Sequence, residues 1–216
     1  MVIETIIDRV QRQLERIYEV ESGHPVSEFL VSDPQLVEKI DPTGRDVQEK
    51  LLVRERGSEL DLALYVDRAV LDRLVDADPT RRLDESNLGD YCVLLEGVSH
   101  FVYLTWNARR ERPVTLLELE LQAEVDKFVS SIFWMGSQRG VPRRLGSVLF
   151  DDPSFDEQLE GDDLARYETA NRAAAKYCLS LEERFLRAAK VRDLVEDVRR
   201  FYRLPQEEKL RAAHLD

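Results

Sequence analysis

Glu96 and His100 stand four residues apart in the stretch Tyr91–Trp106, where nearly every other side chain is apolar or small. Four residues is close to one helical turn, so the carboxylate and the imidazole share a face. Ionisable groups on a helix that is apolar nearly all round need polar partners, because an unpaired polar group inside a protein is costly. Two kinds of chemistry suit such a pair. A carboxylate beside an imidazole supports acid–base transfer, and one histidine with two or three carboxylates can hold iron, manganese or zinc.

Partners for the pair are found on other amphipathic segments. Asn107 falls on the same narrow strip as Glu96 and His100. In the next segment, Leu117, Leu121, Val125, Phe128 and Ile132 form an apolar stripe with Glu120 and Glu124 at its edge. A third segment places Asn171 on an apolar face built from Leu164, Tyr167, Ala170, Ala174, Ala175, Cys178, Leu181 and Phe185. Glu96, His100, Asn107, Glu120, Glu124 and Asn171 therefore make an expected polar seam inside a helical bundle. His100, Glu96 and Glu124 are its candidate catalytic residues. The bland reading of the same residues is a hydrogen-bonded network that fixes helix register.

The spacing argues against the di-iron bundle pattern, which places Glu-x-x-His on each of two helices. Here the spacing is Glu-x-x-x-His and it occurs once; His24 precedes a proline in a loop and His214 is at the tail. No metal site and no cofactor is assigned from the sequence. Ser99 adjoins His100, but helix neighbours point about 100° apart, so they are not a nucleophile–base pair.

The loop from Gly136 to Gly146 is locally basic, with Arg139, Arg143 and Arg144 among glycines. Arginine forks on such a backbone are candidate anion ligands. The competing expectation pairs them with the acidic stretch 151–163. Phe133 and Trp134 are read as core residues rather than surface anchors. Glycine signatures of dinucleotide or phosphate loops, the nucleophile elbow, Cys-x-x-Cys and His-Glu-x-x-His are all missing.

The elements that must position these residues follow from periodicity. Ile3, Ile6, Ile7, Val10, Leu14 and Ile17 mark a helix over 3–19, and residues 27–31 a short strand. Asp33-Pro34 starts a short helix to about residue 40, and 49–54 with 59–65 form a hairpin turned at Gly57. Asp67 caps another short helix. Long helices are expected over 85–110, 115–135 and 162–188, with Thr115 and Glu118 as a capping box. Short ones are expected over 143–149, 191–202 and 206–213. The fold class is thus mainly α, with α+β character overall. Three long antiparallel helices and several short ones form a bundle, and a small N-terminal β-hairpin or three-stranded sheet adjoins it. Residues 1–82 form a small α/β region and 83–216 the helical bundle, in one compact unit.

The 216 residues carry a formal net charge of -12, with 43% hydrophobic and 34% charged residues. That balance fits a globular chain and argues against nucleic acid as a partner, because phosphate binding needs a basic face. No apolar run reaches the about 18 residues of a membrane span, so no membrane association is expected. Cys92 and Cys178 are expected as free thiols, as in a reducing bacterial cytoplasm. The leading functional expectation is a non-enzymatic protein-interaction or adaptor subunit, associating with a protein partner or with itself. The alternative is a metal- or small-molecule-dependent enzyme centred on the buried Glu/His site.

Overall fold

A computed structural model describes residues 2–41, 47–57, 59–138, 140–142, 144–151 and 160–213. Its class is mainly α: among the described residues there are nine helices and a small three-stranded mixed sheet. Helix α1 (Val2–Tyr18) buries Ile6, Ile7, Val10, Leu14 and Ile17, the stripe its sequence presents. It ends where Glu19 adopts a positive φ of 51°. The segment expected as a strand over 27–31 splits into a tight helical turn, Val26–Phe29, and strand β1 (Leu30–Val31). Helix α2 (Pro34–Ile40) begins as read, with the Asp33 carboxylate accepting from the Gln35 amide at 3.0 Å and proline in the first turn.

Strands β2 (Glu49–Arg56) and β3 (Glu59–Val66) form the antiparallel hairpin, with Leu51 opposite Leu64. β1 joins β3 in parallel, giving the order β1-β3-β2. Asp67 caps α3 (Arg68–Asp76) through the Ala69 amide at 2.8 Å. Helix α4 (Leu88–Ala108) follows and packs against the sheet, α1 and α5 (Leu116–Gln138). Its buried residues include Leu88, Tyr91, Leu95, Val98, Val102 and Trp106 on one face, together with Phe101 and Tyr103 on other sides. A helix apolar nearly all round is placed centrally because it has no face to give to water.

Short connections force antiparallel neighbours, and α4 and α5 obey. Tyr91 meets Ser130, His100 meets Glu120 and Tyr103 meets Glu118. The proposed capping box is half formed. Thr115 Oγ1 accepts from the Glu118 amide at 3.1 Å, but the Glu118 carboxylate turns to Tyr103 and Arg112 instead of reaching back.

Helix α6 (Leu145–Phe150) lies in the long connection to α7 (Gly161–Leu181). That connection carries the chain back along the bundle, so α7 runs beside α5 in the same sense, not antiparallel to it as expected from the sequence. Tyr167 near its start interacts with Glu120 near the start of α5, and Glu182 just past its end lies with Gly146 beside Phe128. The expected helix 162–188 passes at Glu182 into a π-helical turn ending at Leu186. Helices α8 (Val191–Tyr202) and α9 (Gln206–Ala212) close the bundle. One contiguous core runs from Ile6 to Ala213. No helix among the described residues is long and apolar enough to cross a membrane.

Candidate metal centre

The seam forms where α4 and α5 face each other. His100 Nε2 lies 3.5 Å from Glu120 Oε2. That is an ionic approach rather than a well-made hydrogen bond, and Nε2 is buried with no hydrogen-bond partner. Glu96, His100 and Glu120 each present one ligand atom, and the three lie within 4.8 Å of one another. A single ion with ligands at about 2.1 Å holds tetrahedral donors about 3.4 Å apart, so the set would contract by up to about 1.4 Å on binding.

Lys127 completes the α5 side. Its ammonium lies 2.8 Å from Glu96 Oε2 and 2.6 Å from Glu124 Oε1. The strand β2 adds a residue that sequence reasoning missed. Glu49 projects over Gly97 of α4, where an added Cβ would meet Glu49 Oε1 at 2.6 Å and Leu64 Cδ1 at 2.5 Å. Glycine at 97 is what lets the strand approach. Glu49 Oε1 is buried and has no hydrogen-bond partner.

The electrostatics show one coupled cluster. Burial pushes the Glu49 carboxyl up to about 8; Glu96 and Glu120 add to the rise, against His100 and Lys127. Burial opposes the His100 imidazolium, yet Glu120, Glu49 and Glu96 carry it up to about 9. For Glu96, burial is outweighed by Lys127 and His100, and its carboxyl is lowered. Burial raises Glu124 despite Lys127. Burial disfavours the Lys127 ammonium, but Glu124 and Glu96 hold it well above the usual lysine range. Burial raises the Tyr167 phenol, with Glu120 next in effect.

Of the expected seam, Glu96, His100, Glu120 and Glu124 are brought together; Asn107 and Asn171 are not. Asn107 is on the right strip but two turns further along. It donates to the Tyr103 carbonyl at 2.8 Å and accepts from Arg112 at 2.6 Å. Asn171 reaches toward the Phe150 carbonyl at 3.5 Å, and its Oδ1 is buried without a partner. Arg139 and Arg143 lie outside the described residues, as does most of the acidic stretch 151–163; Arg144 is exposed just before α6. Phe133 and Trp134 are half-buried against the core, as read. Ser99 turns away from His100 and donates to Asp126 at 2.6 Å.

No family model, curated protein or solved structure matches this chain. The site must therefore be judged by its own chemistry. Imidazole with carboxylates is a donor set for manganese, iron or zinc, whereas calcium and magnesium prefer oxygen alone.

A second buried network, which no spacing in the sequence points to, lies on the other side of α5. Asp126 accepts from Tyr18 at 2.5 Å, Ser99 at 2.6 Å and Gln122 at 2.7 Å. The ammonium of Lys209 donates to Gln122 at 2.6 Å and sits 4.3 Å from the centroid of the Tyr103 ring, with Phe201 and Tyr202 around it. Glu118 is bonded by Tyr103 and Arg112, and Ser130 by Tyr91 and Gln13.

Proposed function

We propose that the protein binds a divalent transition-metal ion between α4 and α5 and uses it in a metal-dependent activity. Glu96, His100 and Glu120 are its ligands. The observation that carries this reading is the convergence of three ligand atoms within 4.8 Å at a place where His100 Nε2 and Glu49 Oε1 are buried without hydrogen-bond partners. Each such atom costs about 1–3 kcal/mol if nothing satisfies it. Three protein ligands leave coordination positions for water or substrate, the arrangement of a catalytic rather than a closed structural site. The bound ion would supply Lewis acidity. Lys127 offsets carboxylate charge, and the apolar surroundings keep bulk water out.

The test is elemental analysis of protein purified without chelators, followed by titration calorimetry with MnCl2, FeCl2 under anaerobic conditions, and ZnCl2. About one ion per chain is expected, with His100→Ala and Glu120→Gln each losing it. Absence of binding in the wild-type protein, or unchanged binding in both variants, defeats the reading.

A protein-interaction role is supported by a different observation. Helix α2 buries none of its residues, and it leaves Leu36 and Ile40, one turn apart, 42% and 50% exposed. An apolar pair on an unburied helix suits a protein partner or a second copy. Leu36→Asp with Ile40→Asp should leave folding unchanged and abolish self-association seen by sedimentation. A monomeric wild-type protein that also captures no partner through this helix would remove the support.

A further inference from the structure

The strand residue Glu49 is unexplained by the three-ligand set. Its carboxylate enters the bundle from the first residue of β2, and Oε1 is buried with no hydrogen-bond partner. It gets there only because position 97 has no side chain: an added Cβ would stand 2.6 Å from Oε1 and 2.9 Å from Cγ of Glu49. It belongs to the same electrostatic cluster as His100, Glu96 and Glu120. Oε1 thus makes no hydrogen bond in the protein alone, and the neighbouring Glu96 and Glu120 disfavour the ionised form of this carboxyl.

Resting on the metal reading above, we propose that Glu49 is the fourth ligand, so that the ion is held by three carboxylates and one imidazole and clamps the sheet onto the bundle. Four protein donors, three of them oxygen, suit a six-coordinate manganese or ferrous ion with two positions left for water or substrate. They suit four-coordinate structural zinc less well, because all its positions would be filled.

Three ligands come from the α4–α5 hairpin, which is rigid core, while Glu49 comes from a strand at the edge of the sheet. Filling the site therefore ties β2 to α4, and ligand binding to the folded form lowers local opening by mass action.

The experiment compares the wild-type chain with Glu49→Gln, Glu49→Asp and His100→Ala, each checked for retained helicity. Each is titrated with MnCl2 and followed by amide hydrogen exchange over 49–56 and 59–66. Wild type is expected to bind Mn2+ and to exchange more slowly in both strands when it is present. Glu49→Gln should weaken binding by more than the about 10- to 100-fold that loss of an outer-shell partner costs, and abolish the strand protection. Glu49→Asp, with its shorter reach, should fall between. If Glu49→Gln binds like wild type while His100→Ala does not, Glu49 is not a ligand and the three-ligand reading stands. If wild-type protein binds no Mn2+, Fe2+ or Zn2+, both readings fall together.

Discussion

Lys209 allows the second buried network to be tested quantitatively. Its side chain is fully buried, bonded at 2.6 Å to Gln122 and ringed by Tyr103, Phe201 and Tyr202. Burial depresses its ammonium from 10.5 to about 7, with Glu118 and Asp126 opposing that fall. At about 1.36 kcal/mol per pH unit, that depression corresponds to a penalty of about 5 kcal/mol for the charged form. Of that, the span from pH 7 to 9.5 carries about 3 kcal/mol, at about 1.36 kcal/mol per pH unit. The sign follows from linkage. Between about 7 and 10.5, the unfolded chain holds a proton at this lysine that the folded chain has released. Stability due to Lys209 therefore rises with pH across that window and is lost as pH falls through 7. Glu49 and His100, both raised, act in the opposite direction, so the raw pH profile of the wild type is a mixture. The difference between wild type and Lys209→Met isolates the lysine, because methionine keeps most of the apolar stem and cannot titrate. Urea denaturation followed by tryptophan fluorescence, with a thiol reductant present, should be run from pH 6.5 to 9.5. The advantage of the methionine variant should be largest at the acid end and shrink by about 3 kcal/mol toward the alkaline end. A difference that stays flat across the range would falsify the buried, depressed lysine.

The same network makes two further predictions. Arg112 holds the buried Glu118 and donates to Asn107 at 2.6 Å and to the Leu204 carbonyl at 3.1 Å; Arg112→Ala should therefore cost about 3–5 kcal/mol by leaving a buried carboxylate unpaired. Adding Glu118→Gln to that variant should recover part of the loss in urea denaturation, and no recovery would show that the charge is not the cause. Ser99→Ala removes one of three hydrogen bonds to Asp126, whose carboxyl burial already pushes up to about 6. It should destabilise the fold by about 1–3 kcal/mol and raise the Asp126 carboxyl further, as read by carbon NMR of the carboxylate; an unchanged titration would remove Ser99 from the network.

What could be read in advance depended on how the chain connects its helices. His100 and Glu120 lie ten residues either side of Arg110. Once a short turn joins two helices of known phase, residues at equal distance from it must face each other, so this contact was legible. Asn107 shared the right angular strip but stands seven residues beyond His100, about 10 Å along the axis. Angle alone cannot separate two turns. The sense of α7 depended on a long connection that leaves either direction open, so the partner of Asn171 was not determined. Glu49 and Lys209 left no local trace at all. A glutamate starting a strand and a lysine in a terminal amphipathic helix look like solvent-facing residues. Only Gly97, a helix-interior glycine, hinted that something approaches α4 closely there.

The two sides of α5 differ in how completely their polar groups are satisfied. Glu118, Gln122, Asp126 and Ser130 follow one another at intervals of four and form a single stripe. Every one of them is buried and hydrogen-bonded: to Tyr103 and Arg112, to Lys209, to Tyr18 and Ser99, and to Tyr91 and Gln13. None has an unpaired side-chain atom. This is what a polar network that specifies helix packing should be, since a partly satisfied network is worse than an apolar core. On the side facing Glu96 and His100, the same helix carries Glu120, Glu124 and Lys127. There His100 Nε2, 3.5 Å from Glu120 Oε2, and Glu49 Oε1 are buried without hydrogen-bond partners. Both faces were folded from one helix under the same packing constraints. A sequence that satisfies the first side so completely, and leaves His100 Nε2 and Glu49 Oε1 without hydrogen-bond partners on the second, supports the proposal that ligand chemistry lies on the second.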